Sequence, residues 1–176
     1  MVAGWLRRDT GRVLLRREKA GNDMYQDDDE SRLDAAGYLA EHDPHTAAEA
    51  LSGLACDGLV ADEVRLSAAE LLATVARGAA ASACLVIACD ASVGDEVRLS
   101  AAELLAAVAP GAAAPACLSI ARDGGVSDEV RLSAAELLAA VAPGAAAPAC
   151  VAIARDRSVG DEVRHSAAEQ LAALRV

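Results

Sequence analysis

The segment Asp62-Glu-Val-Arg-Leu-Ser-Ala-Ala-Glu-Leu-Leu72 returns unchanged at Asp95 and at Asp128, and returns at Asp161 with only His165 and Gln170 altered. Each return is 33 residues on, and one step back from Asp62 lies a diverged copy, Asp29-Glu-Ser-Arg-Leu-Asp-Ala-Ala-Gly-Tyr-Leu39. A unit this short has too little apolar surface to close a core of its own. Each copy must therefore bury a face against the next, which commits the chain to a column of stacked units, and the 33-residue period is that of two-helix solenoids.

Within a unit, Val64, Ala68, Leu71 and Val75 recur at i, i+4, i+7 and i+11 and mark an apolar face at helical period, while Glu63, Leu66, Ser67 and Glu70 mark another. Asp62 and Glu63 place negative charge at the helix N-terminus, where unpaired amides and the helix dipole favour it. Gly78, Pro110-Gly111 and Pro143-Gly144 interrupt the pattern, which predicts a shorter second helix over 82–89, 115–122 and 148–155 with Pro115 and Pro148 at its first position. The position of Leu71, Leu104 and Leu137 becomes Gln170 in the last copy, which predicts a capping repeat that tolerates water where a leucine would seal against a following unit. The fold class implied is all-α, a solenoid of four to five two-helix repeats over residues 29–176.

Alanine supplies most of the 54% hydrophobic content, and aromatic residues only 2% with no Phe, so area is buried by close helix approach rather than by large side chains. Arg, Asp and Glu interrupt every stretch long enough to span a membrane. Residues 1–20 show neither the apolar core nor the cleavage site of a secretory signal, so a cytoplasmic protein is expected. Residues 1–28 form a separate leader, basic and then acidic, whose stretch from Arg12 to Lys19 is a candidate cap on the first repeat. Arg7, Arg8, Arg12, Arg16, Arg17 and Lys19 against Asp9 and Glu18 give residues 1–22 a charge of +4, and the net −11 of the chain leaves −15 on the remainder. A field of that sign repels phosphate backbones and argues against nucleic acid as partner of the repeats.

The order Asp90, then Asp95-Glu-Val-Arg98, then Ala101-Ala-Glu103-Leu-Leu105 resembles the HEAT repeat, in the short form of its phycobilisome lyase-like branch, and is similar to bacterial HEAT-repeat proteins. The resemblance implies a right-handed superhelix. It also implies that Asp57, Asp90, Asp123 and Asp156, before the second helix of each unit, form a ladder between neighbouring repeats with Arg65, Arg98, Arg131 and Arg164 in its first turn. Recurrence of these charges at one phase fits a structural task better than a catalytic one, with guanidinium groups fixing the angle between units. The branch includes chromophore-attachment subunits, so the resemblance also admits a non-catalytic or regulatory subunit of a bilin lyase-like or other modifying complex, although no residue here points to it.

Local chemistry adds no enzyme reading. Cys84, Cys117 and Cys150 stand one period apart, on equivalent faces of helices roughly 8–10 Å apart, too far for a disulfide or a shared metal ion. They read, with Cys56 and Cys89, as small reduced residues. His42 and His45 flank Asp43-Pro44 at a turn, and His165 stands apart. No glycine-rich phosphate loop, nucleophile elbow or zinc-protease signature occurs, so no cofactor, metal or catalytic residue is assigned.

What remains is a surface. Leu66, Leu99 and Leu132 fall at the phase of Glu63 and Glu70, Glu96 and Glu103, and Glu129 and Glu136, and the resemblance makes the concave side formed by these helices the docking side; the alternative reading is that each leucine folds over its neighbour and completes the core. The expectation is a non-enzymatic scaffold or adaptor that takes a basic or amphipathic protein segment, with no nucleic acid and no membrane, and that is monomeric or weakly self-associating.

Overall fold

The computed structural model describes residues 28–174, and residues 28–42 are helical (α1). Eight further helices follow: α2 (Pro44–Cys56), α3 (Asp62–Val75), α4 (Arg77–Cys89), α5 (Asp95–Val108), α6 (Pro110–Arg122), α7 (Asp128–Val141), α8 (Pro143–Arg155) and α9 (Asp161–Ala173). Helices α2 and α3, α4 and α5, α6 and α7, and α8 and α9 pack as pairs. Successive pairs stack so that α2, α4, α6 and α8 form one row and α3, α5, α7 and α9 a second. The result is an all-α, right-handed, HEAT-like solenoid. The boundary expected at residue 29 falls one residue inside the helical stretch, and the proposed cap from Arg12 to Lys19 lies outside the described residues.

The second helix of the repeat pattern is longer than its glycines and prolines predict. It begins at Arg77, Pro110 and Pro143 instead of at 82, 115 and 148. A single residue, Ala76, Ala109 or Ala142, leaves helical conformation and reverses the chain. Pro110 and Pro143 then take the first helical position, where a missing amide costs nothing, and Pro115 and Pro148 lie inside the helix. An interior proline normally costs about 3 kcal/mol through a lost hydrogen bond and a clash one turn back. Here the first turn tightens instead, with Ala112 N–H donating to Ala109 O at 2.8 Å and Ala145 N–H to Ala142 O at 2.9 Å. In α4 the same position is Ser82, whose hydroxyl donates to Gly78 O at 3.2 Å, the carbonyl a proline leaves without a partner.

The other turn, exemplified by 57–61, is built on an aspartate. Asp57 Oδ1 accepts from Leu59 N–H at 3.0 Å, and Val60 N–H closes back on Asp57 O at 3.2 Å. Val60 and its equivalents Val93, Val126 and Val159 are at most 5% exposed, so each turn is pinned by one valine driven into the column. Asp43 plays a different part: it caps α2, accepting from Thr46 N–H and Thr46 Oγ1, while His42 stacks on Tyr38 with ring centroids 4.3 Å apart.

The core is a continuous seam of small residues. Ala68, Ala69, Ala80 and Ala83 and their equivalents Ala101, Ala102, Ala113 and Ala116 have no exposed surface, and this lets helix backbones approach closely. Larger aliphatic side chains are few, Leu72, Leu105 and Leu138 in one row and Leu51, Leu54, Ile87, Ile120 and Ile153 in the other. Each contributes about 1.5–3 kcal/mol on burial. The buried face of α3 is thus Val64, Arg65, Ala68, Ala69 and Leu72, whereas Leu71 and Val75, expected on it, are only half-buried. Leu105→Ala should therefore cost about 2–5 kcal/mol in chemical denaturation, and Leu104→Ala clearly less. Equal losses would place the seam wrongly.

Candidate functional site

Arg65, Arg98 and Arg131 lie almost entirely inside the column, at 2%, 3% and 5% exposure. Each occupies the first turn of its helix and points along the stack. Arg65 Nε donates to Ala55 O at 3.3 Å at the end of the paired helix, and its terminal nitrogens donate to Asp90 Oδ2 at 3.4 Å in the next unit. Arg98 repeats this with Ala88 O and with Asp123 Oδ2 at 3.1 Å, and Arg131 with Ala121 O and with Asp156 Oδ2 at 3.1 Å. The pairing runs from the arginine of one unit to the aspartate of the following one. Asp57 and Arg164 stand at the two ends: Asp57 keeps its turn hydrogen bond, and Arg164 turns to Asp161 within its own helix.

A second set of bonds between units escapes the sequence reading. Asp62 Oδ2 accepts from Gly94 N–H at 3.0 Å, Asp95 Oδ2 from Ser127 N–H at 2.9 Å, and Asp128 Oδ2 from Gly160 N–H at 2.9 Å. An aspartate that reads as a charge complementing its own helix dipole in fact also secures the residue before the next helix. Its invariance at every helix start was the available signal.

Asp90, Asp123 and Asp156, the aspartates that meet a ladder arginine, are held below the ordinary carboxylate range. For Asp90 the main cause is the Ser92 hydroxyl and then its amide, for Asp123 the Gly125 amide and then Arg98, and Asp156 is lowered to about 2 chiefly by Ser158. A folded value below the unfolded one of about 3.9 means that these turns contribute stability fully present above about pH 4. It is lost as pH falls through the folded value. Ser158→Ala should accordingly move the acid-unfolding midpoint to higher pH, read by helicity between about pH 4 and 2. An unchanged acid limb would contradict the role of the hydroxyl.

Burial pushes the Cys84 and Cys117 thiols up to about 11 and raises Cys150, so these sulfurs are protonated packing atoms. All five cysteines are free, and Cys56 and Cys89 are exposed at helix ends. His45 and His165 lie on the surface beside Glu49 and Glu169. Among the described residues no group of three or more His, Cys, Asp or Glu is disposed to hold a metal ion, and no helix is long and apolar enough to cross a membrane.

The two rows differ in surface chemistry. On α3, α5, α7 and α9, Glu63, Glu96, Glu129 and Glu162 form one exposed column and Glu70, Glu103, Glu136 and Glu169 another. The arginines of these helices are buried or turned to Asp161, so among the described residues no exposed Lys or Arg of this row interrupts the carboxylates; exposed Arg77 of α4 reaches only the C-terminal end of α5, donating to Ala107 O at 3.1 Å and Val108 O at 3.2 Å. Leu66, Leu99 and Leu132 are half-buried and packed against the core, so they do not form a free-standing strip. At 3.6 residues per turn they sit about 60° round the helix from Glu63 and its equivalents, on the flank between neighbouring helices. On the opposite row, Leu85 and Val86 of α4 are 36% and 46% exposed, and a shallow depression along α6 is lined by Pro115, Leu118, Ser119, Arg122 and Asp123.

The last repeat corrects one expectation. Leu71 Cδ1 lies 3.7 Å from where a Cβ on Gly37 would sit, so leucines at this position reach back to the preceding unit. Gln170 accordingly faces α7, not a following repeat, and its Oε1 is buried without a hydrogen-bond partner. The residues that face forward, Ala168 and Leu171, are unchanged in type from Ala135 and Leu138, yet Ala168 is exposed and Leu171 half-buried.

Comparison of the chain with protein-family models, curated proteins and solved structures returns no match. The fold defines a class, an α-solenoid of HEAT-like paired-helix repeats. Removing one ladder arginine provides a test of its geometry. Arg98→Ala should cost about 2–4 kcal/mol and Glu96→Ala under about 0.5 kcal/mol in denaturant melts, since only the former empties a buried, hydrogen-bonded site. Equal small losses would place Arg98 at the surface.

Proposed function

We propose that the protein is a non-enzymatic scaffold that holds a basic, amphipathic segment of a partner protein across α3, α5, α7 and α9. The observation that carries this reading is the pair of glutamate columns, eight exposed carboxylates without an exposed Lys or Arg between them, flanking half-buried leucines. Such a single-signed face costs stability through self-repulsion and is relieved by an opposite charge. The resemblance to HEAT arrays places the second helix of each pair on the concave side, where a segment is held from several units at once.

The repeat also sets the form of the ligand. Neighbouring helices in a row lie roughly 8–10 Å apart, and a polyproline II segment advances about 3.1 Å per residue and returns to the same face every third residue. A Lys or Arg at every third residue then meets successive glutamates, with leucine-like side chains between them entering the flanks at Leu66, Leu99 and Leu132. His165 replaces the leucine in α9 and is exposed, so the apolar anchoring spans three units.

Capture from native lysate followed by calorimetry on the purified partner tests this. Leu99→Ser should weaken binding by at least about 1 kcal/mol while leaving the thermal melt nearly unchanged, and Glu103→Lys should mainly flatten the salt dependence of association. Loss of folding in Leu99→Ser before any binding defect would assign the leucines to the core alone. Salt dependence untouched by Glu103→Lys would move the docking face elsewhere.

A further inference from the structure

Comparison of equivalent positions along the stack isolates one helix face that is open where the same face is closed in every later unit. Ala68, Ala101, Ala134 and Ala167 have no exposed surface, but their equivalent in α1, Ala35, is exposed. Tyr38 is 66% exposed, and the Arg32 side chain is 49% exposed where Arg65 is 2%. Ala167 identifies what closes this face: α9 has no following unit among the described residues, yet Ala167 stays at 0% because α8 packs against it. The open side of α1 is therefore the side that a paired helix covers in each later unit.

We propose that the occupant is the chain's own N-terminal segment, residues 1–27, docked on Ala35 and Tyr38 of α1 as a cap on the stack. Three observations select it over an external partner. Its length suffices, because the pairing helix α2 is 13 residues and one period before it falls 11–23. Its chemistry is complementary: Arg12, Arg16, Arg17 and Lys19 alternate with Val13, Leu14 and Leu15, while α1 exposes Asp28, Glu30, Asp34 and Glu41 around the small residues Ala35 and Ala36. It is also tethered directly to the face, which gives an effective concentration on the order of millimolar that a free partner must exceed. The segment departs from the repeat in having Met24 where Asp57 and its equivalents stand, so this cap closes through charge and apolar contact without the aspartate turn.

Hydrogen exchange on the full chain, read by mass spectrometry, provides the test. Amides of 11–23 should exchange at least about tenfold more slowly than in the isolated 1–27 peptide. Ala35→Arg, which puts a long charged side chain in the helix contact, should return them to peptide rates while α3 to α9 keep their protection. Leu14→Ser, which leaves α1 intact, should do the same. Peptide-like exchange in the native chain overturns the proposal, as does protection that survives both substitutions. Protection that falls on dilution also overturns it, since the segment is then supplied by a second copy.

Discussion

Each unit of this column depends on a guanidinium held between two repeats. An alanine-rich seam has few side chains large enough to lock one angle between helices, and small-on-small packing alone leaves neighbouring units free to slide. Arg65, Arg98 and Arg131 remove that freedom. Each is tied at Nε to a carbonyl ending the paired helix and at its terminal nitrogens to an aspartate in the next unit, so displacement in either direction breaks a bond to a buried charge. The aspartate is itself fixed, because its other oxygen accepts from its turn, as Asp90 does from Ser92 and Asp123 from Gly125. The link from Asp62, Asp95 and Asp128 to the residue opening the next helix adds a second tie on the same edge.

That edge carries the structure, which leaves the outer surface of the second-helix row free to vary without cost to the fold. Exposed glutamates at the positions of Glu63 and Glu70 contribute nothing to the seam, and their repetition in every later unit places charge at a fixed pitch. The opposite row exposes Leu85 and Val86 instead, and carries a shallow depression lined by Pro115 and Leu118. Two surfaces of unlike chemistry on one rigid column suit a molecule that holds others in place.

The fold was legible because the period is nearly exact: one helix pattern read five times is far stronger than one read once. Other features were not. Helical periodicity does not tell Leu71 from Leu72, since both lie on the apolar side of the wheel, and only the neighbouring unit decides which one enters the seam. The start of the second helix was misplaced because Pro115 and Gly111 are strong local breakers, whereas burial of Ala113, Ala116, Cys117 and Ile120 against both neighbours outweighs one lost hydrogen bond. The docking face is legible only as charge and spacing, because its ligand leaves no mark on the fold. The cap at Gln170 failed for the same reason as Leu71, a direction along the stack that composition does not reveal.

The central claim, that the arginine ladder couples adjacent units, is tested most directly by a double-mutant cycle on Arg98 and Asp123 in equilibrium unfolding. Coupling of about 1–3 kcal/mol is predicted, with Asp123→Ala alone the costlier change for Arg98 because it leaves a buried guanidinium without its carboxylate. Additive losses, with coupling below about 0.3 kcal/mol, would mean that the alanine seam alone sets the angle between repeats.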